Sequence, residues 1–297
     1  MIGVKKKIIC FGEVLWDVFP DHKIIGGAPL NVAMRLNSLE NNATLISAVG
    51  QDPLGQEIVA YLKAKKMDTS FIQYTKDYPT GEVLVSLDQE GAATYRINSP
   101  VAWDDILSNA ALIPAVQNAD AFLYGSLASR TQTSKATLLG LLDLAQFNVF
   151  DVNLRPPHYA YDDLFLLMKK AHLIKFNDDE LYAISKQLGS SCTSLEDHIH
   201  FIAKQTNTSL ICVTKGAQGA VLFSKGAFYY HDGYPVEVAD TVGAGDSFLA
   251  MLLSGILAQQ KLELCLQSAC KMGALVASKK GATPDISTEE METFFTH

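Results

Sequence analysis

Six short apolar runs, at 8–11, 44–49, 121–124, 149–152, 173–176 and 210–213, recur along this chain with amphipathic stretches between them. Runs this short, with no polar residue at every second position, read as buried strands. The stretches between them have helical spacing. Leu54, Ile58, Tyr61 and Leu62 fall at i, i+4, i+7 and i+8, and comparable patterns run through 133–146, 178–187 and 195–206. Strand followed by helix, repeated, requires crossover connections and therefore a largely parallel sheet. Such sheets place their ligands at the C-terminal ends of the strands.

One region breaks the pattern. Val83, Val85 and Leu87 alternate, Asp88-Gln89-Glu90-Gly91 supplies a turn, and Thr94-Tyr95-Arg96-Ile97 returns, so 81–97 reads as a hairpin with no helix inside it. Residues 19–25 also look extended. Together they suggest a small sheet standing off the core, a candidate lid over the site. The alternative is an ordinary hairpin on the edge of the main sheet. The division expected is an α/β core of 1–12, 32–79 and 102–297, with 13–31 and 80–101 as a β lid.

Composition excludes several classes of function. The 297 residues are 48% hydrophobic, enough for a sizeable core, and carry 24 basic against 32 acidic side chains. The basic cluster Lys5-Lys6-Lys7 reads as a solvated start to the first strand, and with no longer basic block nucleic acid is not expected as a partner. Cysteines stand at 10, 192, 212, 265 and 270 with no C-x-x-C pair. This pattern suits reduced thiols in a cytoplasmic protein, not a disulfide frame or a zinc cage. His198 and His200 are badly spaced for two ligands on one helical face and read as surface polar residues. The apolar stretch 248–258 contains Ser254 and Gly255 and is too short to span a bilayer, so no membrane partner is expected. The run after Lys7 ends at Glu13, which does not suit a signal peptide.

The residues that carry chemistry lie in Asp240-Thr241-Val242-Gly243-Ala244-Gly245-Asp246-Ser247-Phe248. An extended run, 234–238, leads into the segment and a helix-like stretch, 247–258, follows. Gly243, Ala244 and Gly245 therefore fall at a helix N-terminus, where unpaired N–H groups and the helix dipole attract anions. Asp246 falls in the first turn. A carboxylate beside an anion site repels the anion, but it makes sense as a general base set between a hydroxyl and a phosphoryl group. The bland alternative is a tight turn with Asp as a cap. The P-loop, the dinucleotide fingerprint after the first strand and the protein-kinase motifs are all missing.

Asp-Thr-x-Gly-Ala-Gly-Asp-x-Phe resembles the C-terminal signature of the ribokinase-like (PfkB) carbohydrate kinases, and Gly26-Gly27-Ala28-Pro29-Leu30-Asn31 resembles their N-terminal one. The likeness covers nearly the whole chain. Gly12-Glu13, Asp17, Gly50-Gln51-Asp52-Pro53-Leu54-Gly55, Asn177-x-x-Glu180 and Thr214-Lys215-Gly216-Ala217-x-Gly219 match further family landmarks. The resemblance implies a three-layer α/β core with a largely parallel central sheet and a small β lid, and transfer of phosphate from ATP to a sugar. Asp246 would take the proton from the sugar hydroxyl, and the N–H groups of Gly243, Ala244 and Gly245 would hold the developing charge. Asn177 and Glu180 would organise Mg²⁺ through water, a role compatible with their other reading as cap and third residue of a helix. Thr214, Gly216 and Gly219 would lie along the nucleotide, unless they form a simple turn before a strand at 220–223. Asp240 would serve the nucleotide end and a monovalent cation such as K⁺.

At the sugar end the resemblance implies Asp17, Gly27 and Asn31; Asp17 alone reads more readily as a loop cap, and its place beside Gly26-Gly27 and Asn31 favours ligand binding. Asp151-x-Asn153-x-Arg155 resembles a segment shared by fructokinases and 2-keto-3-deoxygluconate kinases, which adds Asn153 and Arg155. Arg96 either touches substrate or is an exposed lid residue. Ala28-Pro29 is fructokinase-like, so the substrate implied is D-fructose, phosphorylated at a primary hydroxyl to fructose 6-phosphate. Another ketose, ribose and 2-keto-3-deoxygluconate are the alternatives within the class. A non-catalytic sugar- or nucleotide-binding regulator is the alternative outside it. The lid is also the place where the resemblance would put a homodimer contact.

Overall fold

The computed structural model describes residues 5–87 and 93–296. Its strands are β1 (Lys7–Phe11), β2 (Leu15–Val18), β3 (Lys23–Gly26), β4 (Asn42–Gly50), β5 (Ile72–Thr75), β6 (Gly81–Leu87), β7 (Ala93–Ile97), β8 (Ala121–Gly125), β9 (Asn148–Asp151), β10 (Leu173–Asn177), β11 (Leu210–Thr214), β12 (Ala220–Ser224) and β13 (Ala227–His231). The large sheet has the order β13-β12-β11-β10-β9-β8-β1-β4-β5. Pairing is parallel from β5 to β11, while β12 and β13 add antiparallel strands at one edge. All six apolar runs read from the sequence are strands of this sheet.

Their lack of alternation has a simple cause: both faces are covered. Ile8, Cys10, Leu45, Leu173 and Cys212 belong to one core, with the helices Ala28–Ser38, Pro53–Ala64, Ala244–Leu257 and Leu262–Ala277. Ile9, Phe11, Ile46, Ile174 and Val213 point the other way, into a second core with Gln132–Leu142, Tyr161–Lys170, Asp178–Gln187 and Leu195–Thr206. The period-2 geometry of a strand thus distributes one apolar run between two helical layers. All five cysteines are free, four of them buried, and no helix among the described residues is long and apolar enough to cross a membrane.

A separate four-stranded sheet has the order β3-β2-β6-β7. β2 pairs with β3 antiparallel and with β6 in parallel, and β6 pairs with β7 antiparallel, Val83 opposite Ile97 and Leu84 opposite Arg96. The expected turn at 88–91 lies outside the described residues. The extended run expected over 19–25 is displaced. The strands are 15–18 and 23–26, because Phe19 donates its N–H to the carbonyl of His22 at 2.8 Å and the two rings stack, closing a turn. Residues 234–238 join no ladder. His198 is also corrected: it is buried, with its ring edge-on to Tyr182 at 5.2 Å, and only His200 is exposed.

The small sheet is fastened to the core at the start of β6. Trp103 packs against Gly81, where a Cβ would lie 2.6 Å from the indole nitrogen. Arg130 lies over that ring, 3.8 Å from its centroid. The same guanidinium donates to Asp104 at 2.6 and 2.7 Å and to the carbonyl of Asn98 at 2.8 Å. Both charged side chains are nearly solvent-free, 4% and 2% exposed. Removing one partner of such a pair leaves the other charge buried and uncompensated. Asp104→Ala is therefore expected to lower unfolding stability by about 3–5 kcal/mol, read from the urea midpoint by circular dichroism; a loss below ~1 kcal/mol would contradict this account.

Candidate active site

The C-terminal ends of β1, β9, β10 and β11 converge with the start of the helix Ala244–Leu257. That helix begins at Gly243, whose φ of 75° is left-handed. A side chain there would run into the carbonyl of Ala282, so glycine is required both by conformation and by space. Asp246 stands in the first turn of this helix, where no side chain caps the end and Ala244 donates its N–H to the carbonyl of Thr241 at 3.2 Å. Asn31 donates from Nδ2 to Asp246 Oδ2 at 2.8 Å, and Arg35, one turn further along the helix Ala28–Ser38, donates from Nε to Ser247 Oγ at 3.1 Å. Burial, and then the neighbouring Asp151 carboxylate, push the Asp246 carboxyl up to about 6, against the pull of Asn31, Lys175 and Arg155.

Asp17 projects from β2 toward Gly26, and its carboxylate occupies the space a side chain at 26 would need. Burial pushes it up to about 6, with Arg155 pulling the other way. Gly27, at φ 118°, lies against the carbonyl of Glu13, leaving no room for a Cβ. Glu13 was not among the expected site residues, yet it is buried here. It accepts the N–H of Ala28 at 3.3 Å, and burial pushes it up to about 7. Arg155 is exposed, but its charge reaches Asp17, Glu13 and Asp246. Asn153 takes a left-handed φ of 39°, and its carbonyl accepts from Ser126 Oγ at 3.2 Å. Arg96 lies exposed on β7; the cation that acts on Asp17 is Arg155.

On the other side of Asp246, Asn177 caps the helix Asp178–Gln187. Its Oδ1 accepts the Glu180 N–H at 2.8 Å, and Glu180 Oε2 accepts the Asn177 N–H at 2.8 Å. Glu180 Oε1 also accepts the N–H of Leu154 at 2.8 Å, tying the 153–155 loop to this cap. Thr214 ends β11, in register with Asn177. After it, Gly216 and Gly219 take φ of 56° and 81°, and a side chain on Gly219 would strike the carbonyl of His231. Asp240 accepts the N–H groups of Val242 and Gly281, each at 3.0 Å, and so fixes the loop that precedes Gly243.

Lys175 is the residue that sequence reading missed. It lies on β10 beside Asp151 on β9, and its ammonium donates to Asp151 Oδ1 at 2.9 Å, with the two side chains 8% and 3% exposed. The signal was a charge inside the apolar run 173–176. Two cavities of about 710 and 700 Å³ lie elsewhere, one lined by Arg35, Lys65 and Asp285 and the other by Tyr234, Leu275 and Phe294. Convergence of side chains, not enclosed volume, marks the site around Asp246.

Residues 1–289 match the family described as "pfkB family carbohydrate kinase". Fructokinase-2 of Solanum lycopersicum is 27% identical over 310 residues, covering 95% of this chain and 93% of that protein. Fructokinase-1 of Oryza sativa subsp. japonica is 26% identical over 318 residues, covering 97% of each. Among solved structures, fructokinase with bound ATP from Xylella fastidiosa aligns with a TM-score of 0.86 at 21% identity, over 99% of both chains. Fructokinase from Vibrio cholerae O395, in a form with fructose, ADP and calcium ion bound, aligns with a TM-score of 0.84 at 24% identity, over 97% of this chain and 98% of that one. These two share the fold. With the family match extending from residue 1 to residue 289, the chain belongs to the pfkB family of carbohydrate kinases and is a sugar kinase.

Proposed function

We propose that this sugar kinase transfers the γ-phosphoryl group of ATP to a primary hydroxyl of D-fructose, giving fructose 6-phosphate and ADP. The observation that carries the reading is Asp246 in the first turn of a helix whose N-terminus has no side-chain cap, held by Asn31 from the glycine-rich N-terminal motif. In the transfer, the sugar oxygen forms a bond to the γ-phosphorus as the bond from that phosphorus to the ADP oxygen breaks. The hydroxyl proton passes to Asp246, and the amides of Gly243, Ala244 and Gly245 face the charge on the transferred group. Asp17, Gly27, Asn31, Asn153 and Arg155 form the sugar end, while Thr214, Gly216 and Gly219 line the nucleotide. Asp240 shapes the loop between the two and is the place for a K⁺ ion.

The residues near Glu180 suit Mg²⁺ in one manner only. Its carboxylate oxygens each accept a backbone N–H, and among the described residues no group of three or more His, Cys, Asp or Glu could cage a metal. This fits a Mg²⁺ held by phosphates and water, with Asn177 and Glu180 beyond that water. When bound, the ion neutralises phosphate charge. The small sheet, with the lid assigned to 13–31 and 80–101, would cover the sugar, exclude water that competes for the phosphoryl group, and offer a homodimer surface.

Fructose is favoured by Ala28-Pro29 and by the fructokinase relatives at 26–27% identity. A second reading, a sugar acid such as 2-keto-3-deoxygluconate, is favoured by Arg155 beside Asp17. The deciding experiment is a panel of fructose, ribose, other ketoses and 2-keto-3-deoxygluconate with ATP and Mg²⁺, read as ADP release. Release with no sugar-dependent component would sink the kinase reading for these substrates. Greater turnover of the sugar acid than of fructose would transfer the assignment to it.

Asp246→Asn is expected to lower kcat by about 10²–10⁴-fold while leaving ATP and sugar binding in place; a variant keeping a tenth of wild-type kcat would rule out the base. Asp17→Ala should weaken sugar binding by roughly 1.5–3 kcal/mol and leave ATP binding unchanged. Equal losses for both ligands in calorimetry would count against placing Asp17 at the sugar end. The pH dependence follows from burial. Asp17 and Asp246 are each pushed up to about 6 and must both be ionised to work, so kcat/KM should fall as pH drops through that value. With two groups required, the acid limb should be steeper than one proton allows, and Asp17→Asn should reduce it to a single ionisation.

A further inference from the structure

Lys175 occupies a place where a cation has no structural advantage. On β10, Leu173 belongs to the core beneath the helix Ala244–Leu257, while Ile174 and Phe176 belong to the opposite one; alternation therefore turns Lys175 toward that helix. A Cβ built on Gly245 would lie 3.5 Å from the Lys175 ammonium. The lysine thus sits under the first turn of a helix, against the positive end of the helix dipole, which repels it. A buried ion pair with Asp151 does not supply the missing reason. Such pairs contribute little net stability, and Asp151 Oδ2 is left without a hydrogen-bond partner.

The surrounding charges supply it. Asp151 on β9, Glu180 from the helix Asp178–Gln187 and Asp246 from the helix Ala244–Leu257 all act on Lys175. Cys212 on β11 is in register with it. Arg155, from the loop after β9, and Asn31, from the helix Ala28–Ser38, act on Asp246, and Asp246 in turn acts on Glu13 after β1. Lys175 is the buried cation of a group with several carboxylates. A phosphoryl group arriving at the Gly243–Gly245 amides would bring still more negative charge to the same place. We propose that Lys175 is a positioning residue for phosphoryl transfer, whose ammonium, anchored by Asp151, sets the polarity beneath the amide cradle and keeps Asp246 charged. This rests on the kinase reading above.

Wild type, Lys175→Met, Lys175→Arg and the double variant Lys175→Met/Asp151→Leu test it, each assayed for kcat, sugar KM, pH profile and melting temperature. Lys175→Met is expected to lower kcat about 10²-fold with sugar KM within about threefold, because Lys175 acts through Asp246 and the helix turn and not on the ground-state sugar. Its acid limb in kcat should move up by about one pH unit, and Lys175→Arg should return it most of the way. The double variant leaves no unpaired charge, so it should fold even where the single one does not and still show the loss of kcat. Turnover by wild type with an unmoved acid limb and an unchanged kcat in the folded variants overturns the role of Lys175 and leaves the kinase reading standing. Absence of sugar-dependent turnover in wild type overturns the kinase reading, and this role with it.

Discussion

A hydrogen bond between residues 215 positions apart holds this molecule's chemistry together: Asn31 to Asp246. Each end lies in the first turn of its own helix, and the two helices pack on the same face of the large sheet. One turn on, Arg35 reaches Ser247, so the helices are pinned at two consecutive levels. The glycine-rich stretches before both helices then have a shared purpose. Gly27 and Gly243 each bring backbone closer than a side chain permits, and each does so at the end of a helix whose partner depends on its register. A shift of either helix by one residue would turn Asn31 or Asp246 away from the other.

The fold was legible wherever burial on two faces left an uninterrupted apolar run, as in 8–11 or 121–124. No other local arrangement accounts for such short runs separated by helical spacing. Legibility failed where a backbone hydrogen bond outweighed side-chain pattern. The turn at Phe19–His22 moved the small strands because Leu15 and Trp16 are buried while 20–22 are exposed. His198 was misplaced because one polar residue in an amphipathic helix carries no mark of which neighbour covers it; Tyr182 does.

The candidate site was read through motifs, and those motifs favour glycine and the residues beside it. Asp17, Asn31, Asn177, Thr214 and Asp246 all flank turns whose geometry restricts sequence. Lys175 and Glu13 escaped because each is embedded in a strand or its immediate exit, where a charge looks like an interruption of the core. Their environments, and not their positions in the chain, give them meaning. Several carboxyl groups, Glu13, Asp17 and Asp246 among them, are pushed upward by the same loss of water. That shared desolvation is what a cleft built for a polyhydroxyl ligand and a phosphate requires.

The two tryptophans of the sequence have a consequence of their own. Trp16 lies on β2, its indole nitrogen bonded to the carbonyl of Leu54 at 3.2 Å and its face under Lys23 at 4.2 Å. Trp103 lies against Gly81 under Arg130. Both therefore stand at the seam between the small sheet and the core, and each has a cation over its ring. Light absorbed at the red edge of the protein spectrum is emitted from that seam alone. The chain carries its own fluorescent reporter of how the two sheets sit against each other, and it needs no label.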